Sequence, residues 1–92
     1  MKVMTTWSVR AGCRDQAIQR FLAGGGAPPA GVTMLGRWHS TDLSMGFTLY
    51  ESNNPGALYE GAAMWSDLLE LRSYMVIEDA EAGAVLAKVA GK

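Results

Sequence analysis

Residues 32–52, VTMLGRWHSTDLSMGFTLYES, decide the fold of this chain. Two β-prone runs, residues 32–39 and 45–52, flank a short polar loop that holds Ser40, Thr41 and Asp42. A loop this short joins antiparallel neighbours, so the two runs form a hairpin. Upstream, residues 3–9 alternate with period two: Val3, Thr5, Trp7 and Val9 face one way, Met4, Thr6 and Ser8 the other. That alternation, rich in β-branched and aromatic residues, predicts a strand. Residues 13–23 carry Ala17, Ile18, Phe21 and Leu22 on one helical stripe, which Gly24-Gly25-Gly26 terminates. Ala27-Pro28-Pro29 then holds the connection extended.

Downstream of the hairpin, Asn53-Asn54-Pro55 reads as a helix start, with Asn54 at the N-cap and Pro55 in the first turn. Leu58, Ala62, Trp65, Leu68 and Leu69 mark the stripe of that helix. A fourth strand is expected over residues 71–78. A last helix begins at Asp79, with Ala82, Val85, Leu86 and Val89 along one side. It is short enough to be marginal alone, so it must dock on something. The order strand, helix, strand, strand, helix, strand is the ferredoxin-like plan. The expected class is therefore α+β, a four-stranded antiparallel sheet with a C-terminal helix, in one domain over residues 1–92.

Because side chains alternate across a sheet, each strand divides into two sets. The apolar set includes Val3, Trp7, Met34, Trp38, Phe47, Leu49, Leu71 and Met75, and is expected under the two main helices. The mixed set includes Met4, Leu35, Arg37, His39, Thr48, Tyr50, Tyr74 and Val76. It is too apolar for bare water, so a second copy of the chain is expected to cover it.

Composition narrows the function. Eight Lys and Arg against nine Asp and Glu leave a net charge of -1, with no basic cluster, which argues against nucleic acid. The single cysteine, Cys13, permits neither an internal disulfide nor a CxxC site, and no second thiol is present to resolve it. The N-terminal residues lack the apolar core of a signal peptide, and no segment is long and apolar enough to span a bilayer. A cytoplasmic protein without membrane contact is expected. Gly24-Gly25-Gly26 follows a helix rather than leading into one, so it is no phosphate cradle.

Three stretches carry a resemblance. They are Gly25-Gly26-Ala27-Pro28-Pro29, then Gly31-Val32 leading into Leu35-Gly36-Arg37-Trp38-His39, and Trp65-Ser66-Asp67-Leu68-Leu69. Together they resemble an uncharacterised bacterial family, the domain of unknown function numbered three-three-zero-three, within the dimeric α+β barrel superfamily. The resemblance covers nearly the whole chain. It implies a ferredoxin-like protomer that forms a barrel with a second copy. Relatives of that architecture include cofactor-independent monooxygenases, haem-dependent chlorite dismutases, muconolactone isomerases and stress-response proteins, among which fold alone does not choose. It also implies a pocket between the sheet and helices of one protomer.

Several residues could carry chemistry. His39, the only histidine, would titrate near neutral pH and serve as acid or base. Alone it builds no metal site, which needs three or four protein ligands, and no cofactor is expected. Glu51 at the end of the third strand would act as a base if desolvated. Arg37 offers a planar fork for a carboxylate, either of a ligand or of Glu51 or Glu78. Trp7, Trp38 and Trp65 could box a flat organic molecule, with the hydroxyls of Tyr50 and Tyr74 at a rim or an interface. Each has a plainer reading: core for the tryptophans, an ion pair for Arg37, a capping or interface hydrogen bond for His39. The expected function is a homodimer holding a small, partly aromatic or carboxylate-bearing molecule. One alternative is a cofactor-independent monooxygenase- or isomerase-like enzyme in which His39 or Glu51 moves a proton. The other is a structural or partner-binding dimer without a ligand.

Overall fold

The computed structural model describes residues 1–91. Four strands, β1 (Lys2–Val9), β2 (Thr33–His39), β3 (Met45–Glu51) and β4 (Leu69–Val76), form one antiparallel sheet in the order β2-β3-β1-β4. Helix α1 (Arg14–Gly24) follows β1, α2 (Pro55–Trp65) follows β3, and α3 (Asp79–Ala90) follows β4. This is the ferredoxin-like α+β arrangement with an added C-terminal helix. Among the described residues no helix is long and apolar enough to cross a membrane.

Local chemistry accounts for the boundaries. Gly25 caps α1 in the left-handed region, at φ 68°, and its N–H donates to the Phe21 carbonyl. Residues with a side chain rarely adopt this backbone conformation, which is why the glycine run stops the helix. Asn54 caps α2 as its sequence position predicts: its side-chain oxygen accepts from the Ala57 N–H at 3.1 Å, with Pro55 in the first turn. The β2–β3 turn is fastened by Asp42, which accepts from the Ser40 and Ser44 hydroxyls at 2.7 Å and from the Ser44 N–H at 3.0 Å. These bonds, the Ser44 hydroxyl first, push its carboxyl from an ordinary 3.8 down to about 2.

One boundary differs from expectation. Leu68 and Leu69 fit the α2 stripe by spacing, yet α2 stops at Trp65, and the Leu68 N–H closes a turn on the Trp65 carbonyl. Leu69 begins β4 opposite Val9, so β4 runs two residues earlier than the 71–78 read from the sequence. Two adjacent leucines satisfy either period, and pairing with β1 decides between them. Both end up in the small dry core. There Ala17, Leu68 and Leu69 pack with Trp7, Val9, Cys13, Trp65 and Leu71 at one end of the sheet.

The larger correction concerns the sheet faces. Sorting by hydrophobicity holds for β1 and for much of β4: Trp7 and Leu71 face the helices, Met4 and Tyr74 face away. On β3, and on β2 beyond Met34, it is inverted. Arg37, His39, Thr48 and Tyr50 face the helices, while Trp38 (56% exposed), Phe47 (41% exposed) and Leu49 share the open face with Met4 and Thr6. Two physical causes act together. A β-bulge between Met34 and Gly36 breaks the alternation of β2. And the helix-facing side of these strands is the floor of a cavity rather than packed core, so apolar residues are not required there.

Candidate functional site

A cavity of about 400 Å³ lies between the sheet and the two helices that roof it. That is within the range of pockets that hold small organic ligands. Ala17, Ile18 and Phe21 of α1 and Leu58, Gly61 and Trp65 of α2 line the roof. Trp7, Leu69 and Leu71 line the floor at the end nearest the dry core. Trp7 lies flat across β3 because its partner is Gly46, where a Cβ would overlap the indole. The middle of the floor is polar. Thr5 and Thr48 are buried, and the Thr5 hydroxyl shares a 2.8 Å hydrogen bond with that of Ser73. Leu43, held in the left-handed region at φ 68°, adds an apolar side chain to the lining from the hairpin turn.

Arg37 and His39 stand on the cavity side of β2. The Arg37 guanidinium donates to the carbonyls of Gly25 (3.0 Å) and Gly26 and lies 5.7 Å from the centre of the Phe21 ring. A cation at the C-terminal carbonyls of a helix is favourably placed, so Arg37 ties β2 to the end of α1. Neither Glu51 nor Glu78 is its partner, contrary to the ion pair read from the sequence. Those carboxylates pair with the Met1 amine and, at 3.0 Å, with Lys2. The His39 ring sits edge-on to Trp7 (centroids 5.3 Å) and to Phe21 (5.4 Å), with no side-chain hydrogen bond among the described residues.

Arg20 and Asp67 hold the roof. The Arg20 guanidinium donates to both carboxylate oxygens of Asp67, at 2.8 and 2.7 Å, and to the Met64 carbonyl at 2.9 Å, and it stacks 5.3 Å over Trp65. A bidentate fork of this kind fixes orientation as well as distance. It locks α1 against the end of α2 and sets Asp67 below the ordinary carboxylate range.

Of the residues singled out from the sequence, Trp7, Arg37, His39, Tyr50 and Trp65 meet at this cavity. Trp38 and Tyr74 do not: both lie exposed on the opposite face of the sheet. Glu51 lies outside it too. It is exposed, and bonding to the Met1 amine draws its pKa down rather than up, the reverse of what a buried base needs. Sequence reading missed the Thr5, Thr48 and Ser73 floor and the Arg20–Asp67 clamp. The clamp joins residues 47 apart that share no motif, whereas the threonines' alternation with apolar residues was visible.

The charges of the lining are one-sided. Arg14 and Arg37 contribute to it, and among the described residues no Asp or Glu does. No group of three or more His, Cys, Asp or Glu that could hold a metal ion occurs among the described residues. Comparison with curated proteins and with solved structures finds no match to this chain. The model of one family, described as Domain of unknown function (DUF3303), matches residues 1–90, and the chain belongs to that family.

Proposed function

We propose that this protein binds a small organic molecule, largely flat and apolar with one acidic or strongly polar group, in the cavity between sheet and helices. The observation that carries this is the cavity itself: about 400 Å³, apolar at its roof and at one end of its floor, with two arginines and a histidine in its lining and, among the described residues, no carboxylate. Such a lining stabilises a carboxylate, phenolate or enolate and disfavours a cation. Trp7, Phe21 and Trp65 supply the faces against which a ring stacks. Tyr50 and the threonine floor offer hydrogen bonds.

The protein acts as a homodimer in this reading. Trp38, Phe47, Leu49, Met4 and Tyr74 form an apolar patch on the open face of the sheet, of the kind that marks an association surface. A cytoplasmic setting agrees with Cys13 standing as a free thiol.

A second reading, a cofactor-independent monooxygenase- or isomerase-like enzyme, draws support from His39. Its ring nitrogens have no side-chain partner among the described residues and it lines the cavity, so it could take a proton from a bound acidic carbon or hydroxyl. Thermal-shift and native mass spectrometry screening of aromatic carboxylic acids, phenols and matched amines tests the binding reading. Acids or phenols should raise Tm and amines should not. If amines stabilise as well as acids do, or no compound of any class is retained, the reading fails. Proton exchange in a bound ligand that is lost in His39→Ala would favour the enzyme.

A further inference from the structure

We infer that α3 is an exchanged arm that docks on a second copy of this chain, so that each protomer of the dimer proposed above lends its last helix to the other. Three related observations, all of which follow from α3 projecting from the rest of the chain, point to it. First, α3 carries an apolar stripe, Ala82, Val85, Leu86 and Val89, at i, i+3, i+4 and i+7, yet none of its residues is buried. Leu86 is 67% exposed and Val89 60%. A twelve-residue helix of this composition is marginal in water without a packing partner. Second, the radius of gyration is 15.7 Å, where a compact domain of this length has about 12 Å. The longest dimension is 53 Å against 29 and 18 Å. Third, the chain exposes 6410 Å² of surface. A compact monomer of 9.9 kDa exposes about 5,200 Å². The difference, about 1,200 Å², matches what one partner buries in a stable protein–protein interface, about 800 Å² or somewhat more.

A second copy is the occupant that fits, because the same chain presents both halves of the contact. Exposed apolar residues lead from the end of β4 towards the arm: Tyr74 lies on the open face, Met75 (76% exposed) on the other side of the strand, and Ile77 stands two residues before α3, with the charged Glu78 between them. At the opposite edge of the sheet, β2 exposes Leu35 and Trp38. A two-fold interface is self-complementary, so an arm leaving the β4 edge meets an open face and its β2 rim on the partner, twice over. The inference rests on the dimer reading, and the experiment separates the two.

Sedimentation velocity of the full chain between about 0.1 and 100 µM, compared with the double variant Leu86→Asp, Val89→Asp, is the test, read together with hydrogen exchange of the α3 amides. The native chain should dimerise and the variant should dimerise at least about 30-fold more weakly, as loss of an interface anchor does. The native α3 amides should gain protection as protein concentration rises through the dimer midpoint. A native dimer that the variant matches in strength, or α3 protection that does not change with concentration, overturns the arm and leaves the dimer standing. A native chain that stays monomeric throughout overturns both. Far-UV circular dichroism of the variant, unchanged apart from the α3 contribution, keeps global unfolding from imitating the expected result.

Discussion

A side chain at position 46 and the indole of Trp7 cannot occupy the same space. A Cβ there would overlap the ring and stand 2.7 Å from the Trp38 carbonyl, so the floor of the cavity depends on the missing methyl. Gly46→Ala should therefore cost about 1–3 kcal/mol, the usual range for an overpacked site. Urea unfolding followed by tryptophan fluorescence measures this, and an unchanged midpoint would mean that Trp7 does not lie across β3. Asp42 makes a different kind of prediction. Its folded pKa, about 2, lies below its ordinary 3.8. The stabilisation it gives is therefore complete above the unfolded value and disappears as pH falls through the interval between the two. The hairpin turn is exposed, so the effect is modest. The stability of Asp42→Asn should fall less steeply than that of the native chain between about pH 4 and pH 2. Parallel acid-unfolding curves would show that the serine bonds around this carboxylate are not made in solution.

The helix boundaries were legible wherever one residue had a job that no neighbour could do. Asn54 and Pro55 announced α2 because a side-chain acceptor and a proline are both needed there, and the structure uses both. Asn54→Ala should lower stability by about 1 kcal/mol, the common cost of a lost N-cap. In a chain of this length that is a fall of roughly 4–8 °C in Tm, checked by calorimetry. An effect within error would mean that the first turn of α2 is held by packing instead. The faces of β2 and β3 were less legible, and the reason is specific. Hydrophobicity marks the side of a strand that is dry, but here both sides have claims to dryness. One faces a cavity with a polar floor at Thr5, Thr48 and Ser73, and the other presents Trp38, Phe47 and Leu49 to the outside. Sorting by polarity picked the greasier side and so placed Arg37 and His39 away from the helices. The bulge after Met34 compounds this, since nothing local in the sequence of β2 fixes where its register slips. The site suffered accordingly. Trp7 and Trp65 were legible as its aromatic walls, but the links from Arg37 to Gly25 and Gly26 and from Arg20 to Asp67 join distant segments and appear only when the chain is folded.

At the scale of the whole molecule, the sheet leaves Trp38, Phe47, Tyr74 and Met75 exposed to water in a single chain. Its dry core is small, centred on Ala17, Leu68 and Leu69 with aromatic and aliphatic neighbours. Trp38 and Phe47, cross-strand partners, stand together on the open face. A fold with so thin a core gains by burying that face against another copy, and mass action then makes its stability depend on concentration. The Tm of the native protein should rise as concentration increases over two decades. Phe47→Glu should abolish that dependence and sediment as a 9.9 kDa particle. The cavity lies on the other side of the sheet, so the variant should keep whatever acids or phenols the native chain binds. Loss of ligand binding together with dimerisation would show instead that the cavity is completed across the interface. A native Tm that ignores concentration would leave the open face without the role argued for it.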